Sequence, residues 1–454
     1  MGVRIILGIL IGLASLVLIW FAANRLLDEK LDPLLQAFIH SPSDRIEDKD
    51  NIAVGLLGLN APQGADFLKY GAEIKALYDR GASSNQIQSK LHAPNGLRLS
   101  VTSDQISCWI DPVGYPVRKE CLPFEEVAVV LERNRELLDR YKALYQLPHE
   151  VNVGYNGLTF LDISKLAIAE MRYEIGRKNY ETAYIKWRDQ FQFLRTYLRG
   201  QDTWRGKAVG LVVLGMNIPV IEGILLTNPD IGKTYFNELV KLLRPGGIEW
   251  FNPNGLMRAE YLIVDNLLEQ RPPLANQNLK DLDWLASKLG QRNRIRNLYV
   301  RYAQEYSAAL RLPWRYVPDE LKRVGERYGY VFDWSHIIDP VGSSFLLEHI
   351  QWQLENPEIF REVHVLDGKL RLATLLVRVI NEGIQDVQMS KFLESVGPQF
   401  GEPFSAGPMK WNPDKRQIYF PDSNNKCGNS SIQIPEIDTR GRRVPWKSSL
   451  GANC

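Results

Sequence analysis

The hydrophobic pattern begins with Ile5–Ala23, nineteen residues (IILGILIGLASLVLIWFAA) without a charge, preceded by Arg4 and followed by Asn24, Arg25 and the run Asp28-Glu29-Lys30. At about 1.5 Å per residue, a helix of this length crosses a hydrocarbon core. A cleaved signal needs a shorter apolar region and small residues before the cut, whereas Trp20-Phe21-Ala22-Ala23 puts an aromatic at that point. The pattern therefore predicts an uncleaved signal anchor within residues 1–30. Arg25 and Lys30 stand opposite Arg4, so the charge bias is weak. Orientation then follows from the short amino-terminal tail staying in the cytoplasm and the long remainder being translocated.

After the anchor, Leu26–Phe38 reads as a juxtamembrane helix, and Ser41-Pro42-Ser43-Asp44 as a polar break. Asn51–Pro62 ends in a turn, and a helix follows over Asp66–Tyr78. Residues 97–118 alternate (Leu97, Leu99, Val101; Ile106, Trp109), which predicts a small β-hairpin. From Pro123 the period becomes helical. Val127, Val130, Leu131, Leu138, Tyr141 and Tyr145 recur at steps of three and four over Glu125–Leu147. Ala167, Met171 and Ile175 line one helix; Ala183, Trp187, Phe191, Leu194 and Leu198 line the next. The link Arg177–Ala183 resembles the inter-helix turn of a tetratricopeptide hairpin, without a continuing 34-residue period.

Ala208–Leu226 is a second apolar stretch, but it carries Asn217, Pro219 and Glu222. A charge inside a span is costly, and a second span would separate the chain's cysteine pairs across the membrane. It reads as a buried core helix kinked at Pro219. Further helices are predicted over Pro253–Leu268, Leu279–Ala309, Pro318–Tyr328, Ser344–Leu354 and Glu358–Gly383, the last with a stripe of Leu372, Leu375, Leu376, Val379 and Ile380. From Gly397 the chain turns to Gly, Pro, Asn and Ser, with short alternating runs such as Gln417–Phe420. The expected fold is mainly α: an anchor (1–30), a helix plus hairpin region (31–123), an irregular, partly tetratricopeptide-like helical-hairpin domain (124–395) and a β-rich cap (396–454).

Composition changes little in this picture. The 454 residues are 45% hydrophobic and 24% charged, as in ordinary globular chains. The 55 basic and 53 acidic residues nearly cancel, so no global field draws the chain to nucleic acid. Cysteines add more. All four, Cys108, Cys121, Cys427 and Cys454, follow the anchor in two local pairs. The turn formers between Cys108 and Cys121 suit a disulfide, which closing such a loop makes worth roughly 3 kcal/mol. Zinc is the alternative, though CxxC spacing is absent and no His lies between Cys108 and Cys121; four reduced thiols in a cytosolic chain is the third reading. Disulfides fit an oxidising compartment outside a bacterial inner membrane.

Catalytic signatures are missing: the chain has no HExxH, Walker loop, GxGxxG or GxSxG. Its six His residues are scattered; Glu348-His349 and His364 flank one predicted helical turn. No metal ligands, cofactor or catalytic residues are assigned. The most distinctive stretch is Arg292–Tyr330, which interleaves arginines with aromatics. Its candidate partner-binding residues are Arg292, Arg296, Tyr299, Tyr302, Trp314, Arg315 and Tyr316, of the types that interfaces favour at hot spots. The bland alternative is a helix with a basic solvated face and an aromatic core face. Glycan or anionic lipid is the other ligand such a set suits.

Several boxes carry a resemblance. They are Gly55-Leu56-Leu57-Gly58-Leu59-Asn60-Ala61-Pro62 with Gly64-Ala65-Asp66; Cys108 and Cys121 with Leu138–Leu144; Phe251-Asn252-Pro253-Asn254; Asp339-Pro340-Val341-Gly342; and Glu402–Trp411 ahead of Gln417–Phe420. In these the chain resembles uncharacterised single-pass envelope proteins of Gram-negative bacteria. Glu402 and Ala406 depart from that family's closing pattern. The resemblance implies a membrane-anchored, largely helical periplasmic protein and brings no activity with it. The expected role is a scaffold or adaptor that binds another envelope protein. A hydrolase of cell-wall glycan or peptide, or a lipid- or glycan-binding module, is the alternative. Oligomeric state is left open by the sequence.

Overall fold

The structure is a computed structural model, and it describes residues 15, 30–35, 47–102, 105–106, 123–147, 157–201, 203–270, 292–338, 358–405, 407–421 and 429–435. Apart from Ser15 and Lys30, the expected anchor (1–30) lies outside these residues, as do all four cysteines, the expected helix Ser344–Leu354 with Glu348-His349, and the Asp339–Gly342 box. The protein is mainly helical, with a small three-stranded antiparallel sheet near the carboxy terminus. The helices are α1 (Ile52–Gly58), α2 (Phe67–Asp79), α3 (Ser84–Leu91), α4 (Phe124–Arg133), α5 (Arg135–Ala143), α6 (Gly157–Gly176), α7 (Tyr180–Gly200) and α8 (Trp204–Thr227). They continue as α9 (Asp230–Thr234), α10 (Phe236–Leu242), α11 (Pro253–Gln270), α12 (Arg292–Leu310), α13 (Val317–Ile338), α14 (Glu358–Glu382) and α15 (Met389–Ser395). The strands are β1 (Lys410–Asn412), β2 (Gln417–Pro421) and β3 (Asn429–Gln433).

Two compact units emerge, each made from two separated stretches: Met1–Asp44 with Pro253–Ile359, and Arg45–Asn252 with Phe360–Cys454. No single cut in the sequence separates them.

The larger unit begins with α1, whose seven residues are all buried. Asn51 starts it by accepting the Ala53 N–H on its side chain. Glycines let α2 cross it backbone to backbone. A Cβ on Gly58 would lie 1.7 Å from the Phe67 carbonyl oxygen, and one on Gly71 1.9 Å from that of Val54. Asp66 caps α2 through the N–H groups of Leu68 and Lys69, and Ser83 with Gln86 forms a capping box on α3.

The region expected as one helix over Glu125–Leu147 is broken. Asn134 leaves helical geometry between α4 and α5, and its side chain explains the break: Nδ2 donates to Val130 O and Ser100 Oγ, while Oδ1 accepts the Ser100 N–H. A local amide that bonds elsewhere competes with the helix ladder. The expected hairpin over 97–118 also needs correction where it is described. Residues 97–102 form no strand, residues 105–106 are helical, and the pairing present is an isolated bridge between Pro62 and Gly96.

Helices α6, α7 and α8 pack against one another and form the centre of this unit. Ala183, Trp187, Phe191, Leu194 and Leu198 are all buried, as their spacing predicts. The α6–α7 link turns at Lys178, whose φ of 65° lies in the left-handed region. Asn179 Nδ2 holds it by donating to Glu174 Oε2 at 2.8 Å. Helix α8 is long and apolar enough to cross a membrane, yet most of it is buried in the protein's own core. Pro219 sits inside it, and Trp187 Nε1–H donates to the nearby Asn217 carbonyl. Lys207, fully buried, turns its ammonium onto the Leu198 carbonyl, one of the last acceptors of α7.

The apolar stripe of α14 is buried throughout, and its polar residues hold the segment that precedes the sheet. Asp367 accepts from Gly247 N–H and Arg371, and Arg371 also donates to Gly401 O at 2.8 Å. Arg361 lies over the Phe404 ring. A Cβ on Gly368 would strike Phe420 and Pro403, so the 402–411 box closes tightly on α14. In the sheet Trp411 pairs with Ile418 and Ile418 with Ile432, leaving Ile418, Phe420 and Ile432 buried.

Candidate functional site

The smaller unit holds the arginine- and aromatic-rich segment. Helix α12 packs on α11 and on α13. Tyr299, Tyr302 and Tyr306, spaced by three and four, occupy its inner face and are fully buried. Successive rings lie 6.1 and 5.5 Å apart between centroids, and Tyr299 meets Tyr261 at 5.8 Å and Tyr302 meets Tyr328 at 5.6 Å. Burial drives the phenols of Tyr302 and Tyr306 well above their ordinary range and that of Tyr261 to about 12. These phenols stay neutral. Tyr299 and Tyr302 are thus corrected from partner-binding candidates to core residues of the unit.

Arg296 is also drawn inward, pairing with Asp265 of α11 at 2.5 Å. Arg292 opens α12, and its side chain lies outside the described residues. The remaining three candidates gather at the corner between α12 and α13. There Pro313 starts a short 3-10 turn, Trp314–Tyr316, closed by Tyr316 N–H on Pro313 O. Arg315 stacks 4.6 Å from the Tyr316 ring centroid. Leu312 and Tyr316 are 37% and 49% exposed, and Val317 behind them is buried, so the corner projects from a packed base.

A second feature joins distant parts of the chain. Residues 30–35, which follow the expected anchor, are fastened to α12. The buried Asn297 accepts the Asp32 N–H on Oδ1 at 2.8 Å, and its Nδ2 donates to Lys30 O at 2.9 Å. Arg301 pairs with the Asp32 carboxylate at 3.3 Å, and Leu35 is buried. An asparagine on the core side of an amphipathic helix was the available signal.

Two titratable groups in the larger unit stand out. Glu222 of α8 accepts the backbone N–H of Gln433 at the edge of β3, and burial pushes its carboxyl up to about 7. The Gln433 N–H and the charge of Arg172 pull it the other way. His364 is pushed down by burial, against the opposing charge of Asp367. Among the described residues no three His, Cys, Asp or Glu side chains are grouped so as to share a metal ion. Comparison of the chain with known protein families, with curated proteins and with solved structures finds no match.

Proposed function

We propose that this chain is a membrane-anchored scaffold or adaptor of the bacterial envelope. In this reading it spans the inner membrane once through residues 5–23 and holds another envelope protein in the periplasm. The observation that carries it is the Asn297 joint. Lys30 and Asp32, beyond the expected span at residues 5–23, are hydrogen-bonded to the helix that leads into the 311–316 corner. In this reading the joint ties the corner to the chain that leaves the membrane, as a scaffold requires.

Trp314, Arg315 and Tyr316 are the contact residues of this reading, with Arg311 beside them. Their chemistry suits an acidic partner surface with an apolar centre, since arginine and aromatics supply most of the energy at such contacts. Bonds Cys108–Cys121 and Cys427–Cys454 belong to the periplasmic placement, and non-reducing mass analysis of protein from its own cells reads them directly.

The test places a photo-crosslinking amino acid at position 316 of the full-length protein in its own cells. Capture of one stoichiometric envelope protein, lost in an Arg315→Glu background, supports the scaffold. Efficient activation with no captured protein sinks it.

A further inference from the structure

The larger unit carries a cleft that the scaffold reading does not use. It lies between the turn Leu59–Pro62 and the end of α3, encloses about 350 Å³, and is walled by Asn60, Leu91, His92, Ala93, Leu97 and Arg98. Its floor, the turn Leu59–Pro62, is braced by hydrogen bonds. From behind, the buried guanidinium of Arg140 donates to the carbonyls of Leu59, Ala61 and Pro62 at 3.1, 2.6 and 2.7 Å. Glu136 completes the clamp, accepting from Arg140 at 2.7 Å and from the Gly64 N–H at 2.9 Å. In front, Leu97 N–H donates to Ala61 O, and Gly96 runs so close that a Cβ there would lie 2.5 Å from Asn60 O.

The residues with polar side chains at the cleft are Asn60, His92 and Arg98, and among the described residues no acidic one lines it. Among the described residues, neither His92 nor Arg98 has a side-chain ion pair or hydrogen bond, whereas neighbouring Lys90 is engaged by Glu73. The remaining wall is Leu91, Ala93 and Leu97. Hydrogen-bond donors and a planar cation beside these apolar side chains match an organic carboxylate better than a bare inorganic anion. We propose that this cleft binds a small carboxylate-bearing ligand of roughly dipeptide size, with Arg98 on the carboxylate, Asn60 and His92 as further donors, and the apolar body against Leu91 and Leu97.

The test is titration calorimetry on the detergent-solubilised full-length protein with three probes: N-acetyl-alanyl-alanine, its carboxyl amide, and inorganic phosphate. Saturable binding of the acid is expected, with the amide about tenfold weaker or worse. The exposed Arg98→Gln variant should lose about the same factor while its thermal unfolding stays unchanged. Equal binding of acid and amide, or of parent and Arg98→Gln, overturns the proposal. So does phosphate binding with no response to the acid, which would mark a simple anion site. Absence of any saturable binding up to about 10 mM, a Kd too weak for a built site, overturns it as well.

Discussion

Glu222 Oε1 accepts the backbone N–H of Gln433 at 3.0 Å, joining the last third of the apolar helix α8 to the edge of the carboxy-terminal sheet. A carboxyl there reconciles two demands. The strand edge needs an acceptor, and the apolar surroundings disfavour a charge.

The pH dependence follows from that conflict. The carboxyl titrates at about 7 in the folded protein against 4.5 ordinarily, so the folded state keeps a proton that the unfolded chain has released. Its contribution to stability is complete below pH 4.5, falls as pH rises through 7, and is constant above. At about 1.4 kcal/mol per pH unit, the loss approaches roughly 3 kcal/mol. Glu222→Gln keeps an acceptor for Gln433 and removes the titration. Exchange of the Gln433 amide should quicken from pH 5 to pH 8, beyond intrinsic chemistry, in the parent but not in the variant.

Arg140 supplies hydrogen bonds to three carbonyls from one buried side chain. Arg140→Met strands all three and should cost about 3–5 kcal/mol. Arg140→Lys, with a point charge in place of a fork, should lose less. Urea unfolding of the two variants checks the order; equal loss would mean that the charge, not the fork, is what matters.

Glycines in the larger unit divide by what surrounds them. Gly58→Ala puts a Cβ into the Phe67 carbonyl and should destabilise by about 2–4 kcal/mol. Gly215→Ala, inside α8 with nothing within 4 Å, should stabilise by about 0.5–1 kcal/mol through helix propensity. Paired thermal melts read both signs.

Asn297→Ala removes both hydrogen bonds to residues 30–32 and leaves the Arg301–Asp32 pair, which is partly exposed and weak. Proteolysis after Lys30 should quicken about tenfold, equivalent to roughly 1.4 kcal/mol of local opening. Asn297→Asp, which keeps the acceptor for Asp32 N–H but sets a buried carboxylate oxygen against Lys30 O, should quicken it at least as much.

What the sequence determined by itself is local. Spacing alone identified the inner faces of α7 and α14, and alternation identified the strand that became β2, because side-chain periodicity reports which face of an element is buried. It also identified the arginine- and aromatic-rich segment. It did not divide that segment: the tertiary structure turned Tyr299 and Tyr302 inward against Tyr261 and Tyr328, and left the 312–316 corner outside. Arginines and aromatics stand on both sides of that division, so packing separates them. Tertiary structure likewise decided that α1 is wholly buried and that Asn134 breaks a helix to hold Ser100. The Asn297–Asp32 and Glu222–Gln433 joints link positions 265 and 211 residues apart. A polar residue on a helix shows that it needs a partner. Which backbone group answers depends on how distant segments are brought together, and no local pattern contains that information.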